Sequence, residues 1–183
     1  MKKIILFILL SFYTLVGFSQ LGERTFMSFL GINPQVHVEK NYPAGAFDIN
    51  ILPIAYQCPL AGYNLDFRLM SIVYYGIRPL NSAIKNIGFE IGIPYHFNFE
   101  RKFPYISKGF FLSPGFVLIK DVIEMHRISA VFFEFGYNFH FGKRFSIMPG
   151  VQYGRKFVVL SGGNSVVLNY YNVKLILGFW LIE

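Results

Sequence analysis

The feature that most constrains this chain is residues 127–153, where side-chain character alternates with a period of two on both sides of a short turn. In the first arm Ser129, Val131, Phe133, Phe135, Tyr137, Phe139 and Phe141 share one face. Ala130, Phe132, Glu134, Gly136, Asn138 and His140 share the other. In the second arm Phe145, Ile147, Pro149, Val151 and Tyr153 form an apolar row opposite Ser146, Met148, Gly150, Gln152 and Gly154. Taking Gly142-Lys143-Arg144 as a three-residue loop pairs Phe141 with Phe145, Phe135 with Val151, Gly136 with Gly150 and Glu134 with Gln152. Every pair then matches like with like, which is what fixes the register of a hairpin.

The two faces are unequal. The bulkier row carries no charge, while the other mixes Glu134, Asn138, His140 and Gln152 with small residues. A water-soluble sheet turns its polar row outward, whereas a membrane barrel gives its apolar row to lipid. Composition favours the second arrangement: 54% of the 183 residues are hydrophobic, 19% aromatic and only 15% charged. Beyond the N-terminus, polar residues interrupt every apolar stretch before it reaches the roughly eighteen residues a spanning helix needs. Crossing by strands is therefore the expected mode.

Residues 1–19 read as a cleavable signal peptide. Lys2 and Lys3 precede an apolar run from Ile4 to Leu10, and small Gly17 and Ser19 suit a cleavage site that leaves Gln20 first. The domain division expected is 1–19 signal peptide and 20–183 barrel. Without the two leader lysines only a modest excess of basic residues remains, spread over turns and loops, which is not a nucleic-acid stripe. The single cysteine, Cys58, excludes an internal disulfide and reads as filler at a strand end.

The remaining chain divides into strands and loops of the same type. A first strand spans about 26–38, with Leu30, Ile32 and Val36 opposite Gln35 and His37. The second, 46–56, sets Phe47, Ile49 and Ile51 against Asp48, Asn50 and Leu52. A third over 63–77 places Asp66 and Arg68 opposite Leu65, Phe67 and Leu69. The fourth, 87–97, carries Glu90 and His96 on its polar row, and the fifth spans 108–120. The hairpin supplies strands six and seven, and 168–182 supplies the eighth, with Lys174 opposite Val173 and Leu175. Loops rich in Asn, Pro and Gly separate them at 41–45, 78–86, 121–126 and 158–165. Pro53, Pro94, Pro114 and Pro149 fall inside strands, so Pro114-Gly115 and Pro149-Gly150 are expected to mark bulges or bends.

Eight alternating strands, a leader and a final Gly178-Phe179-Trp180-Leu181-Ile182-Glu183 together resemble the small outer-membrane β-barrel proteins, the OmpX-like and OmpA-barrel-like group. The Phe-rich strands and Ser19-Gln20 context look like barrels from Bacteroidota. The resemblance implies an all-β, eight-stranded antiparallel up-and-down barrel in the outer membrane of a Gram-negative bacterium, with both termini periplasmic. It also implies contact with outer-membrane lipid and lipopolysaccharide, and with other envelope proteins.

On this reading Asp48, Asp66, Arg68, Glu90, Glu134 and Lys174 line the interior with Asn50, Asn138, Gln152 and Asn172. Enclosed charges must pair, and eight strands leave an interior that side chains fill, so a plug of ion pairs is expected over a pore. Tyr42, Tyr74, Tyr75, Tyr170 and Tyr171, near outer strand ends, are candidates for an aromatic rim, read first as an interfacial anchor and second as a surface that contacts partners. No cofactor or metal is expected, since four scattered histidines and one cysteine lack ligand spacing. The expected role is a non-enzymatic structural, adhesion or complex-partner scaffold. The rival class is an outer-membrane lipid A-modifying enzyme of the deacylase kind, for which Glu124, His126 and Ser129, or His140 and Ser146, are the available groups. A soluble lipocalin-like carrier would need charged rows denser than these.

Overall fold

The computed structural model describes residues 28–38, 44–60, 64–78, 82–97, 107–142 and 144–181. The expected signal peptide, Tyr42 and the connection 98–106 lie outside them. The described residues form a closed eight-stranded antiparallel β-barrel without helices. Eleven strand segments build it: β1 (Ser28–Ile32), β2 (Val36–His37), β3 (Phe47–Asn50), β4 (Ile54–Pro59), β5 (Asp66–Ile77), β6 (Ala83–Gly92), β7 (Tyr95–His96), β8 (Gly109–Asp121), β9 (Arg127–Phe141), β10 (Phe145–Val159) and β11 (Ser165–Leu181). Segments β1 and β2 are one stave, as are β3 and β4, and β6 and β7. Each stave pairs with the next in sequence, and β1 closes the barrel on β11 through Ser28↔Leu181 to Ile32↔Leu177.

The hairpin of β9 and β10 has the expected register, with Phe141 opposite Phe145, Gly136 opposite Gly150, Val151 opposite Phe135 and Gln152 opposite Glu134. Gly142, at φ 62°, takes the left-handed conformation that begins the turn. Alternation then separates the two walls. Phe133, Phe135, Val151, Tyr153, Tyr171, Val173 and Phe179 are exposed on the outside, while Glu134, Gln152 and Lys174 are buried within.

Two expectations about irregularity change. The ladder runs through Pro114 and Pro149 in one register, without the expected bulges. The carbonyl of Pro114 accepts from Ile93 N at 3.0 Å, so its missing amide faces the interruption at Ile93-Pro94 that divides β6 from β7. The β9–β10 ladder skips the rungs at Met148 and Pro149 and resumes unchanged. The shifts lie elsewhere: at Tyr74/Tyr75, between β5 and β6, and in the second stave. There Asn50 pairs with Tyr74 and Ala55 with Met70, so residues 51–54 face only 71–73. This extra residue flips the phase, and Leu52, expected inside, is exposed beside Ile51. Boundaries also move. The fourth strand begins at Ala83 rather than 87, and the loop after β10 shrinks to residues 160–164.

Candidate functional site: the interior polar network

Alternate residues of β5, β6, β9, β10 and β11 point inward and meet at mid-barrel. Lys174 Nζ lies 2.6 Å from Glu90 Oε1 and 2.8 Å from Glu134 Oε2. Arg68 Nη2 reaches Glu134 Oε2 at 2.6 Å. Gln152 Nε2 donates to both carboxylates, at 2.7 and 2.9 Å, and its Oε1 accepts from Asn172 Nδ2 at 2.9 Å. Tyr170 Oη lies 3.1 Å from the same Gln152 Oε1. Two acids thus face two bases, and Arg68, Glu90, Glu134 and Lys174 are each at most 3% exposed. Enclosed charges are tolerable when paired in this way; Glu90, Glu134 and Lys174 are hydrogen-bonded as well, whereas the Arg68 guanidinium makes its ion pair without a well-formed hydrogen bond. Glycine makes the room: a Cβ at Gly150 would stand 3.0 Å from Glu134 Oε1. The Arg68 guanidinium also lies over the Phe111 ring, 5.5 Å from its centroid.

Smaller polar groups sit above and below. Towards the end that carries the 142–144 turn, Gln57 Nε2 donates to Asp66 Oδ2, His96 Nε2 lies 3.1 Å from the same oxygen, and Ser107 Oγ donates to Asp66 Oδ1 at 2.9 Å. Asn138 Nδ2 donates to the Ser107 carbonyl. At the opposite end Asp48 pairs with Arg78 Nη2 at 2.7 Å, with Lys85 Nζ at 3.7 Å. Two apolar clusters share the interior: Phe29, Ala55, Met70, Met148, Ile176 and Trp180 in one, Ile72, Val117, Ala130 and Phe132 in the other.

All six charged residues expected inside are therefore buried, and Glu90, Glu134, Lys174 and Arg68 form one connected group; Asp48 and Asp66 belong to separate ones. The expected rim tyrosines divide. Tyr171 is exposed with its ring tilted against that of Tyr153, centroids 5.2 Å apart, and Tyr75 shares the outer face with its partner Ile49. Tyr74 and Tyr170 instead pack inward against the second apolar cluster, with Tyr74 Oη bonding Gln35 Oε1 at 2.6 Å. Their place on the inner row follows from parity with Ile72 and Asn172.

The groups considered for hydrolysis are differently placed. His140 Nδ1 lies 3.1 Å from Ser146 Oγ, but that hydroxyl also accepts from Trp180 Nε1 at 2.9 Å and is wholly buried. His126 pairs with Glu124 at 3.1 Å in the β8–β9 loop. Among the described residues no three His, Cys, Asp or Glu side chains gather as a metal site. Shared inner parity makes the His140–Ser146 pair readable from sequence, whereas the donation from Trp180 is not, because Trp180 lies on a third strand.

Fold and interior together define a closed β-barrel with an apolar outer row and an inner row that mixes a buried polar network with two apolar clusters. Neither the models of known protein families nor the curated proteins contain a match to this chain.

Proposed function

We propose that this protein is a small outer-membrane barrel of a Gram-negative envelope, of the OmpX-like and OmpA-barrel-like kind. In this reading residues 1–19 are its export signal, both termini are periplasmic, and it serves as a non-enzymatic structural element, adhesin or partner scaffold. The observation that carries the reading is the inversion of polarity across one wall. Phe133, Phe135, Val151, Tyr171 and Val173 are each more than half exposed, while the adjacent Glu134 and Lys174 are each 1% exposed. A soluble barrel with that exterior would present far more contiguous apolar surface than a monomer in water carries.

An arc of rings supports it further. Phe110, Tyr137 and Phe139 form a run of ring contacts near the turn end, and Phe145 meets Phe141 and Phe179. Aromatic belts of this kind mark the boundary between hydrocarbon and water. The neutral, interlocked interior supports a plug, so ion passage is not the expected role.

Fractionation of expressing cells tests the location: the protein is expected to require detergent for release from the outer-membrane fraction, and release by cell breakage alone would overturn the reading. In planar bilayers the purified barrel is expected to give no steady large openings. Lipid A acyl composition, followed by mass spectrometry, is expected to be unchanged by expression. Loss of acyl chains would make the protein an enzyme instead.

A further inference from the structure

On the outer wall, cations occur where the apolar face approaches the loop end. Lys120 of β8 and Arg127 of β9 are directly opposite each other across the ladder, both exposed and both on the outward row. Like charges in that position repel. The nearby acids do not relieve them. Asp121 is buried, its Oδ1 accepting from the Ile123 and Glu124 amides, and Glu124 pairs with His126. Among the described residues neither Lys120 nor Arg127 has a carboxylate partner. Arg155 of β10 adds a third outward cation, held by Asn169 Oδ1 at 2.8 Å.

Directly beside this pair the wall is notched. A shallow groove of about 580 Å³ lies over β6, β8 and β9, lined by apolar side chains that include Phe89 and Leu118, with Lys120 and Arg127 one outward rung nearer the loop end. Ser129 leaves the notch, because its small side chain stands in the outward row between Leu118 and Phe157, where the next outward positions of β9 carry the larger Arg127 on one side and Val131 on the other. A site that is oily along its length and doubly cationic at one end matches an amphiphile with an anionic head.

We propose that this groove binds one anionic lipid, with its phosphate between Lys120 and Arg127 and an acyl chain along Phe89 and Leu118. The inference rests on the membrane reading above and adds to it a site and a headgroup charge. The lipid supplies the counter-ion that the opposed cations lack, and its chain fills the notch over Ser129. Arg155, one strand further on and level with Val131, lies outside the groove.

Native mass spectrometry of the mature protein, folded in dodecylmaltoside micelles containing either phosphatidylglycerol or phosphatidylcholine, tests this. One phosphatidylglycerol per barrel is expected to survive activation that strips phosphatidylcholine. The double variant Lys120→Gln/Arg127→Gln is expected to lower its retention about tenfold, the scale of losing charge-assisted bonds. Ser129→Phe fills the notch with both cations intact and is expected to do the same, whereas Arg144→Gln, a cation at the turn end, leaves retention unchanged. Heat-modifiable gel mobility reports that each variant is folded. Equal retention of the two lipids, or unchanged retention in both the double variant and Ser129→Phe, overturns the proposal. So does complete displacement of the lipid by millimolar inorganic phosphate, which would make this a simple anion site. A detergent-dependent barrel without lipid preference overturns only this site; a protein that stays in solution without detergent and retains no lipid overturns the membrane reading itself.

Discussion

The inner and outer walls of this barrel are made by the same strands, one residue apart, yet they are held to different standards. Outside, Phe133, Phe135, Val151 and Val173 need only be apolar, because no partner is specified for them beyond their cross-strand neighbours. Inside, Lys174, Arg68, Glu90 and Glu134 each depend on a particular atom of another strand. The outer wall therefore tolerates exchange within a chemical class, and the inner wall does not tolerate loss of a single member. Specificity of the fold resides in the enclosed side.

The largest expected effect comes from breaking the inner balance. Lys174→Met leaves Glu90 and Glu134 with Arg68 alone and is expected to cost about 3–5 kcal/mol in urea unfolding followed by far-ultraviolet circular dichroism. Adding Glu90→Gln restores neutrality around the Arg68–Glu134 pair and should recover most of that loss; failure to recover would assign the loss to packing. The outer counterpart is Phe135→Lys, expected to destabilise the barrel in lipid vesicles by about 2–4 kcal/mol. Phe135→Leu at the same site is expected to cost less than about 1.5 kcal/mol. A barrel indifferent to lysine at 135 would erase the contrast between the walls.

Smaller effects sharpen the boundary. Trp180→Phe keeps a ring beside Phe29, 5.4 Å away in the native barrel, but removes the donor to Ser146; about 0.5–1.5 kcal/mol is expected in the same unfolding assay. Smallest in energy is a test of phase. In a Cys58→Ser background, spin labels at Ile51 and at Leu52 should both report an apolar exterior, although adjacent strand residues ordinarily point oppositely. An enclosed label at 52 would remove the bulge.

What sequence could and could not disclose follows from the same contrast. The β9–β10 register was readable because a three-residue turn and matched pairs such as Gly136 with Gly150 leave one consistent solution. The six interior charges were readable from parity alone. Their partnerships were not: Lys174 and Glu90 are 84 residues apart and meet across the bore, which depends on strand tilt and stagger. Leu52 lies outside rather than inside because one inserted residue reverses parity; the in-strand Pro53 signals an irregularity there but not which residue changes phase. Tyr74 and Tyr170 were assigned to a rim by height, when parity places both indoors. The prolines misled in the opposite direction, since Pro114 sits where the adjoining stave is already interrupted and needs no bulge.

The mid-barrel group joins β5, β6, β9 and β11, so it cannot be completed until the last strand has arrived. A cylinder sealed one rung out of step would turn Lys174 to the apolar outer face and strand two carboxylates in the bore. Correct assembly and charge neutrality thus become the same event, and the ions act as a lock that only the right closure can turn.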